Sequence, residues 1–172
     1  MAGWTKIVPA PAVQGQSVGA RAAIRFFIHP YQPQVIYVLG SDLDGVHVKR
    51  SDDGGHTWNV DHNLEIQLTW NNQIPLSTNE DLAGLNEHFD LVLTDMQFDP
   101  NFFGARFAIG AGGAFMTVDG VNWTRLLHTA ALQGRPSSCY LDSFSEATAT
   151  LYVSFAGRSL VKIPNLLLTI IE

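Results

Sequence analysis

Carboxylates are the side chains of this sequence best suited to chemistry, and several stand in or beside predicted turns. They are Asp42, Asp44, Asp90, Asp95, Asp99 and Asp142. Two carboxylates that flank a glycosidic bond can cleave it, one as the acid and the other as base or nucleophile. Asp95 and Asp142 are the pair to consider, because each is predicted to begin the inner strand of its repeat. Turn and cap roles account for such aspartates more often than catalysis does.

The histidines and the cysteine show no pattern of metal ligands. His29, His47, His56, His62, His88 and His128 stand alone, without the spacing that zinc sites use. Cys139 is the only cysteine, so no intrachain disulfide is possible and a buried, inert thiol is expected. No Gly-rich phosphate loop follows a strand and opens a helix. The sequence therefore predicts neither a metal nor a cofactor.

One aromatic group has the chemistry to hold a sugar. Trp70, Asn71 and Asn72 combine a flat ring with amides, and they lie in residues 65–91, which do not fit the repeats of the remaining chain. The alternative, which we favour, is that Trp70 packs on the sheet beneath it. In the same segment Ser77 and Glu80 resemble a capping box, which predicts a short helix over about 78–86.

Composition excludes two classes of partner. The chain has 172 residues, of which 46% are hydrophobic and 15% charged, and its net charge is −6. Its basic residues are scattered, so nucleic acid is not expected to bind. No apolar stretch approaches the roughly 20 residues of a membrane span. Residues 1–9 lack the apolar region of a signal peptide, which predicts a cytoplasmic protein or an excised part of a secreted precursor.

Strand-like segments recur in three copies, over about 24–50, 95–117 and 138–163. Each copy has short strands separated by turns that contain Pro or Gly, which predicts an all-β fold. Trp4, Trp58 and Trp123 each open a further short strand. This long period favours a β-propeller, whose blades are stacked four-stranded antiparallel sheets, over a sandwich.

The expected organisation is a single partial propeller domain over 1–172. It consists of an outer strand and linker (1–19), a first blade (20–64), the helical insertion (65–91), a second blade (92–128) and a last blade (134–172), whose fourth strand is 164–172. About three blades leave an incomplete ring, because closed propellers have four or more blades. We therefore expect a second copy, or another protein partner, to cover the exposed blade faces.

A specific motif follows the third strand of the first blade. Ser51, Asp53, Gly55, Thr57 and Trp58 match the Asp-box pattern, and a degenerate copy consists of Thr117, Asp119, Gly120 and Trp123. Side-chain oxygens in such a hairpin replace lost backbone hydrogen bonds, and glycine permits a positive φ. The chain thus resembles the BNR (Asp-box) repeats of sialidase-like propellers. Similar repeats occur in sortilin-type receptors, oligoxyloglucan-hydrolase-type enzymes and photosystem II assembly factors.

The resemblance implies a fold rather than a reaction, because these families share the turn and not the chemistry. It also implies that the boxes are structural and lie at the blade periphery. The sequence lacks the Arg-Ile-Pro element expected of a sialidase. It favours a non-catalytic binding or assembly module that recognises a protein or a glycan. The alternatives are a fragment or subunit of a glycoside hydrolase, sialidase-like or xyloglucanase-like, and a structural oligomer or filament subunit.

Overall fold

Short strands joined by tight turns make up most of the described chain. The computed structural model describes residues 23–41, 46–71, 73, 92–128, 136–143, 147–156 and 160–168. The elements are β1 (Ala23–Ile28), β2 (Ile36–Ser41), β3 (Val46–Ser51), β4 (Asn59–Val60), α1 (His62–Leu68), β5 (Asp95–Phe98), β6 (Arg106–Gly110), β7 (Gly113–Thr117), β8 (Thr124–His128), β9 (Pro136–Ser143), β10 (Thr148–Phe155) and β11 (Leu160–Leu167). They form three consecutive antiparallel sheets, in the orders β1-β2-β3-β4, β5-β6-β7-β8 and β11-β10-β9.

The sequence of each strand determines how many of its faces are buried. In β10, Leu151 and Val153 are buried whereas Thr150 and Tyr152 are half-buried, because successive side chains point to opposite faces of a sheet. In β6, every residue is buried, as expected for a strand that is covered on both faces. The second sheet is therefore the middle layer of a stack.

Two hydrophobic cores join the layers. The core between the first and second sheets contains Tyr37, Leu39, Val48, Met96, Ala108, Phe115 and Trp123, together with residues of α1. The core between the second and third sheets contains Phe107, Ile109, Ala114, Cys139, Leu151, Val153 and Phe155. Each sheet thus buries an apolar face against its neighbour in the chain.

The first strands of the three sheets lie side by side. Arg25 of β1 donates a hydrogen bond of 2.6 Å to the carbonyl of Thr94, just before β5. Asp95 of β5 accepts the backbone N–H of Cys139 in β9 over 2.9 Å. Stacked antiparallel sheets whose first strands converge are the arrangement of propeller blades. The prediction of an all-β, partial β-propeller is confirmed.

A short strand follows Trp58, as expected, but the helix after it was not predicted. The strand is only two residues long, Asn59–Val60, and the chain then enters α1. Asp61 starts this helix, because its Oδ1 accepts the N–H of Leu64 over 3.0 Å. The helix predicted over 78–86 and the outer strand predicted over 1–8 lie outside the described residues.

The third sheet corrects a second expectation. Residues 164–172 were expected to supply a fourth strand, but residues 164–167 continue β11, which pairs with β10. The register shifts where Pro164 and Asn165 face the single residue Thr150. Pro164 has no N–H for the ladder, and Asn165 adopts a φ of +57° that asparagine tolerates. The bulge lets one strand pass the proline, so the described third sheet has three strands.

Candidate functional site

Side-chain hydrogen bonds hold the loop between β3 and β4, residues 51–58. The Ser51 hydroxyl donates to Asp53 Oδ1 and accepts the N–H of Gly55, each over 2.8 Å. Asp53 accepts the N–H of Thr57 over 2.8 Å and its hydroxyl over 2.6 Å. The indole N–H of Trp58 donates to the Gly55 carbonyl over 3.0 Å. Gly55 has a φ of +90°, which a side chain would strain.

The loop after β7, residues 117–123, has the same design with one residue fewer. The Thr117 hydroxyl donates to Asp119 Oδ1 and accepts the N–H of Gly120, each over 2.9 Å. Asp119 accepts the N–H of Asn122 over 2.7 Å and its side-chain amide over 2.6 Å. The amide therefore replaces the second hydroxyl of the first loop. Trp123 is buried in the core between the first two sheets.

The aspartates of both loops are kept ionised. Hydrogen bonds from the side chain and backbone of Thr57 hold the pKa of Asp53 well below its usual range. Burial raises the pKa of Asp119, but hydrogen bonds led by the N–H of Asn122 outweigh it, and this pKa also lies well below its usual range. A carboxyl group that is ionised near neutral pH has no proton to donate as a general acid.

Polar contacts, partly buried, join the first sheet to the second at a junction formed by Arg50, Arg106 and Tyr37. Arg50 donates to the carbonyl of Gly120 and, over 2.6 Å, to Asp52. Arg106 donates to the Tyr37 hydroxyl over 2.6 Å. The two guanidinium groups lie 5.9 and 5.7 Å from the centre of the Tyr37 ring, within the range of cation–π attraction.

An open groove of about 460 Å³ lies beside this junction. It is lined by Arg50, Asp52, Asn59, Val60, Asp61, His62, Asn63, Gly120 and Val121. The Asn63 amide donates to the Val121 carbonyl over 3.0 Å across it. Burial raises the pKa of Asp61, whose Oδ1 caps α1. Arg50 of the groove thus serves the junction, and Asp61 serves the helix start.

The two residues of the predicted carboxylate pair lie in different sheets. Asp95 begins β5, and its two oxygens accept the N–H groups of Met96 and Cys139 over 2.8 and 2.9 Å. Asp142 does not begin its strand, because β9 starts already at Pro136. It lies three residues beyond Cys139, and therefore on the opposite face of the third sheet.

Two residues of the predicted sugar platform, Trp70 and Asn71, lie within the described part of the chain. The Trp70 indole N–H donates to the Gly112 carbonyl over 2.7 Å, and the ring is half-buried. Asn71 is exposed, and both residues have a positive φ, of 54° and 56°. Asn72 lies outside the described residues. Within the described ranges no group of three potential metal ligands occurs, and no helix there is long and apolar enough to cross a membrane.

Each sheet has a corresponding row of side chains, and in the first two sheets this row faces the following sheet. The rows are Phe27–Tyr37–Arg50, Gln97–Phe107–Met116 and Tyr140–Tyr152–Lys162. Tyr37 and Phe107 are fully buried by the following sheet, whereas Tyr140 is 64% exposed. Lys162 lies 5.8 Å from the centre of the Tyr152 ring, as Arg50 lies over Tyr37. We call this side of the third sheet the front face; it comprises Ser138, Tyr140, Asp142, Thr150, Tyr152, Ser154, Leu160 and Lys162.

The first sheet leaves its opposite side uncovered in part. This rear face comprises Phe26, Ile28, Ile36, Val38, Lys49 and Ser51. The last four residues are buried within the chain, so only the part of the face on β1 is exposed. Phe26 is 68% exposed and Ile28 46% exposed. When the strand pairings of the two sheets are compared, Phe26 and Ile28 hold the positions that Met96 and Phe98 hold in the second sheet. Met96 and Phe98 pack into the core against the first sheet.

Exposed blade faces were predicted from the sequence, but the residues that form them were not named, although a signal was present. The aromatic residues Tyr37, Phe107 and Tyr152 hold the same position in the second strand of each repeat. Arg50 and Lys162 hold the same position in the third strand. The alignment of these positions across repeats predicts which face meets the next sheet.

Comparison with known proteins yields distant likenesses only. No family model and no curated protein matches the sequence. Among solved structures, an ancestral GH74 enzyme aligns with 83% of this chain, at 13% identity and a TM-score of 0.48. The aligned part is 17% of the enzyme's own chain. YCF48 from Cyanidioschyzon merolae aligns with 85% of this chain, at 15% identity and a TM-score of 0.46. The aligned part is 41% of the YCF48 chain. The chain spans less than half the length of either protein, and likenesses of this degree assign it no activity, substrate or partner.

Proposed function

We propose that this chain is a non-catalytic assembly module of the Asp-box type, which binds a protein partner through the ends of its stack of sheets. The observation that carries the proposal is the exposure of Phe26 at one end and of Tyr140 and Leu160 at the other, at 68%, 64% and 66%. Large exposed apolar side chains mark surfaces that associate when they form a contiguous patch. Tyrosine is also enriched among the residues that dominate binding energy.

The state of the carboxylates supports a non-catalytic role. Both oxygens of Asp95 accept backbone N–H groups, and one oxygen of Asp99 accepts two more. Asp53 and Asp119 are bound within their own loops. A glycoside hydrolase needs two carboxyl groups that face one bond, whereas Asp95 lies in the second sheet and Asp142 in the third, on the face opposite to Cys139.

A protein partner is favoured over a glycan by the position of the aromatic residues. The Trp70 ring is half-buried and its N–H is bonded to the second sheet. The most exposed aromatic side chains are instead on the flat faces at the two ends of the stack, where blades of a propeller meet one another.

Light scattering over a hundredfold range of protein concentration tests the proposal. We expect species larger than the monomer, whose share rises with concentration. Hydrolysis of a panel of chromogenic glycosides should not exceed the background rate. A monomer at every concentration that hydrolyses one of these glycosides, and loses that activity in Asp95→Asn, would refute the proposed function.

A further inference from the structure

We propose that His29 is a pH-sensitive switch between the turn that joins β1 to β2, residues 29–35, and the loop that joins β5 to β6, residues 99–105. The neutral ring holds these two segments together, and its protonation opens the turn and separates them. This regulation goes beyond the proposed function and does not depend on it, because it concerns the loops at the ends of the strands rather than the flat faces of the stack.

Three hydrogen bonds fix the protonation state of the His29 ring. Its Nδ1 accepts the backbone N–H groups of Tyr31 and Gln32 over 3.2 and 3.1 Å, so Nδ1 carries no proton. The hydrogen of the neutral ring is therefore on Nε2, which donates to the Phe103 carbonyl over 3.1 Å. A proton added to Nδ1 would face two N–H donors. The two segments are thus joined in this way only while the imidazole is neutral.

The second sheet contains the same turn with a different side chain. Asp99 follows β5 as His29 follows β1. The Oδ1 atom of Asp99 accepts the N–H groups of Asn101 and Phe102, two and three residues further on, each over 2.8 Å. A carboxylate oxygen therefore suffices to form this turn. The histidine adds a contact with the neighbouring sheet and a group that titrates near neutral pH.

The surroundings of the ring oppose a positive charge in the closed state. His29 is fully buried, and its ring centre lies 4.7 Å from that of Phe98. Burial and the nearby Arg106 of β6 lower the pKa of His29, and they outweigh the hydrogen bond from Nε2, which raises it. The acidic groups of the adjoining elements, Asp95 of β5 and Asp99 of the facing loop, accept backbone N–H groups instead. Protonation therefore favours an open turn in which the ring reaches water.

The two segments carry a stacked pair of aromatic rings at the surface. The ring centres of Tyr31 and Phe103 lie 5.6 Å apart, at an angle of 13° between the planes. These side chains are 51% and 45% exposed. The N–H of Tyr31 is one of the two groups that Nδ1 of His29 holds, so opening of the turn separates the pair. Acidification should therefore change the aromatic surface at this end of the strands.

Amide hydrogen exchange of the full chain, followed by NMR between pH 7.5 and 5, tests the switch. One proton taken up on opening makes the open state about tenfold more populated for each pH unit below about 6.5. After correction for the intrinsic exchange rate, the protection of the Tyr31 and Gln32 amides should therefore fall by up to about tenfold per pH unit. The amides of Asn101 and Phe102 are the internal control, because Asp99 holds their turn, and their protection should stay constant.

His29→Asn provides a second control. The asparagine oxygen can accept the two N–H groups as Asp99 does, but the side chain does not titrate. We expect the protection of Tyr31 and Gln32 to be independent of pH in this variant, and the contacts between the rings of Tyr31 and Phe103 to persist to pH 5. Constant protection of Tyr31 and Gln32 in the wild type, a parallel loss at the Asp99 turn, or the same loss in His29→Asn would overturn the proposal. If the variant does not fold, the comparison of the two turns within the wild type still decides.

Discussion

The buried contact between Arg106 and Tyr37 provides the most direct test of how the first two sheets are joined. The Arg106 guanidinium donates to the Tyr37 hydroxyl over 2.6 Å, and both side chains are buried. Tyr37→Phe removes this oxygen and keeps the ring. Tyr152→Phe makes the same change at the corresponding position of the third sheet, where the ring lies on the front face.

The size of the effect follows from burial and charge. A hydrogen bond to a charged group contributes about 1.5–3 kcal/mol, and a buried donor left without its acceptor costs at least as much. The ring remains, so the cation–π attraction is kept. We expect Tyr37→Phe to lower the free energy of unfolding by about 2 kcal/mol. Tyr152→Phe should change it by less than about 0.5 kcal/mol, as is usual for surface positions.

Urea unfolding followed by tryptophan fluorescence measures both changes. With a typical m-value of about 2 kcal/mol/M, Tyr37→Phe should lower the urea midpoint by about 1 M at an unchanged m-value. All proteins are compared at one low concentration, because association raises apparent stability. Equal losses in the two variants, or a loss below about 0.5 kcal/mol in Tyr37→Phe, would show that this contact does not stabilise the junction.

Three further predictions concern single side chains. Gly120→Ala should destabilise the fold more than Gly54→Ala. Both glycines have a φ of +74°, but only a Cβ added at Gly120 would meet the Arg106 guanidinium, at 2.7 Å. Urea midpoints compare the two variants, and equal losses would contradict the clash. Burial lowers the pKa of His29. The contribution of His29 to stability is therefore complete above about pH 6.5 and declines as the pH falls below that value. Between pH 7 and 5 the wild type should lose more stability than His29→Asn, and parallel losses would contradict this. Burial raises the pKa of the Cys139 thiol, so a thiol reagent should label it only as urea unfolds the chain, and rapid labelling of the native protein would show that the thiol is accessible.

The sequence predicted those parts of the fold that depend on local chemistry. Ser51, Asp53 and Thr57 specify a loop whose hydrogen bonds are made between neighbours, so their order alone predicts the hairpin. The alternation around Tyr152 likewise predicts a strand with two unlike faces.

Features that depend on competition between segments were less predictable. The strand after Trp58 stops at Val60, because the carboxyl group of Asp61 stabilises a helix start that local patterning did not favour. Asp142 was misplaced because β9 begins at Pro136, earlier than the turn residues indicated. The partners of Asp95 could not be foreseen either, since they include a backbone group 44 residues away.

The two junctions of the stack differ in composition, and they should therefore respond differently to temperature and salt. Between the first sheet and the second, the charged and polar groups of Arg50, Arg106 and Tyr37 add hydrogen bonds to an apolar core. Apolar side chains fill the core between the second and third sheets. Because the attraction between apolar groups weakens on cooling, the third sheet should be the first to separate in the cold. Kosmotropic salts strengthen apolar burial and should hold it in place. We therefore expect the order in which the two junctions open to depend on the solvent.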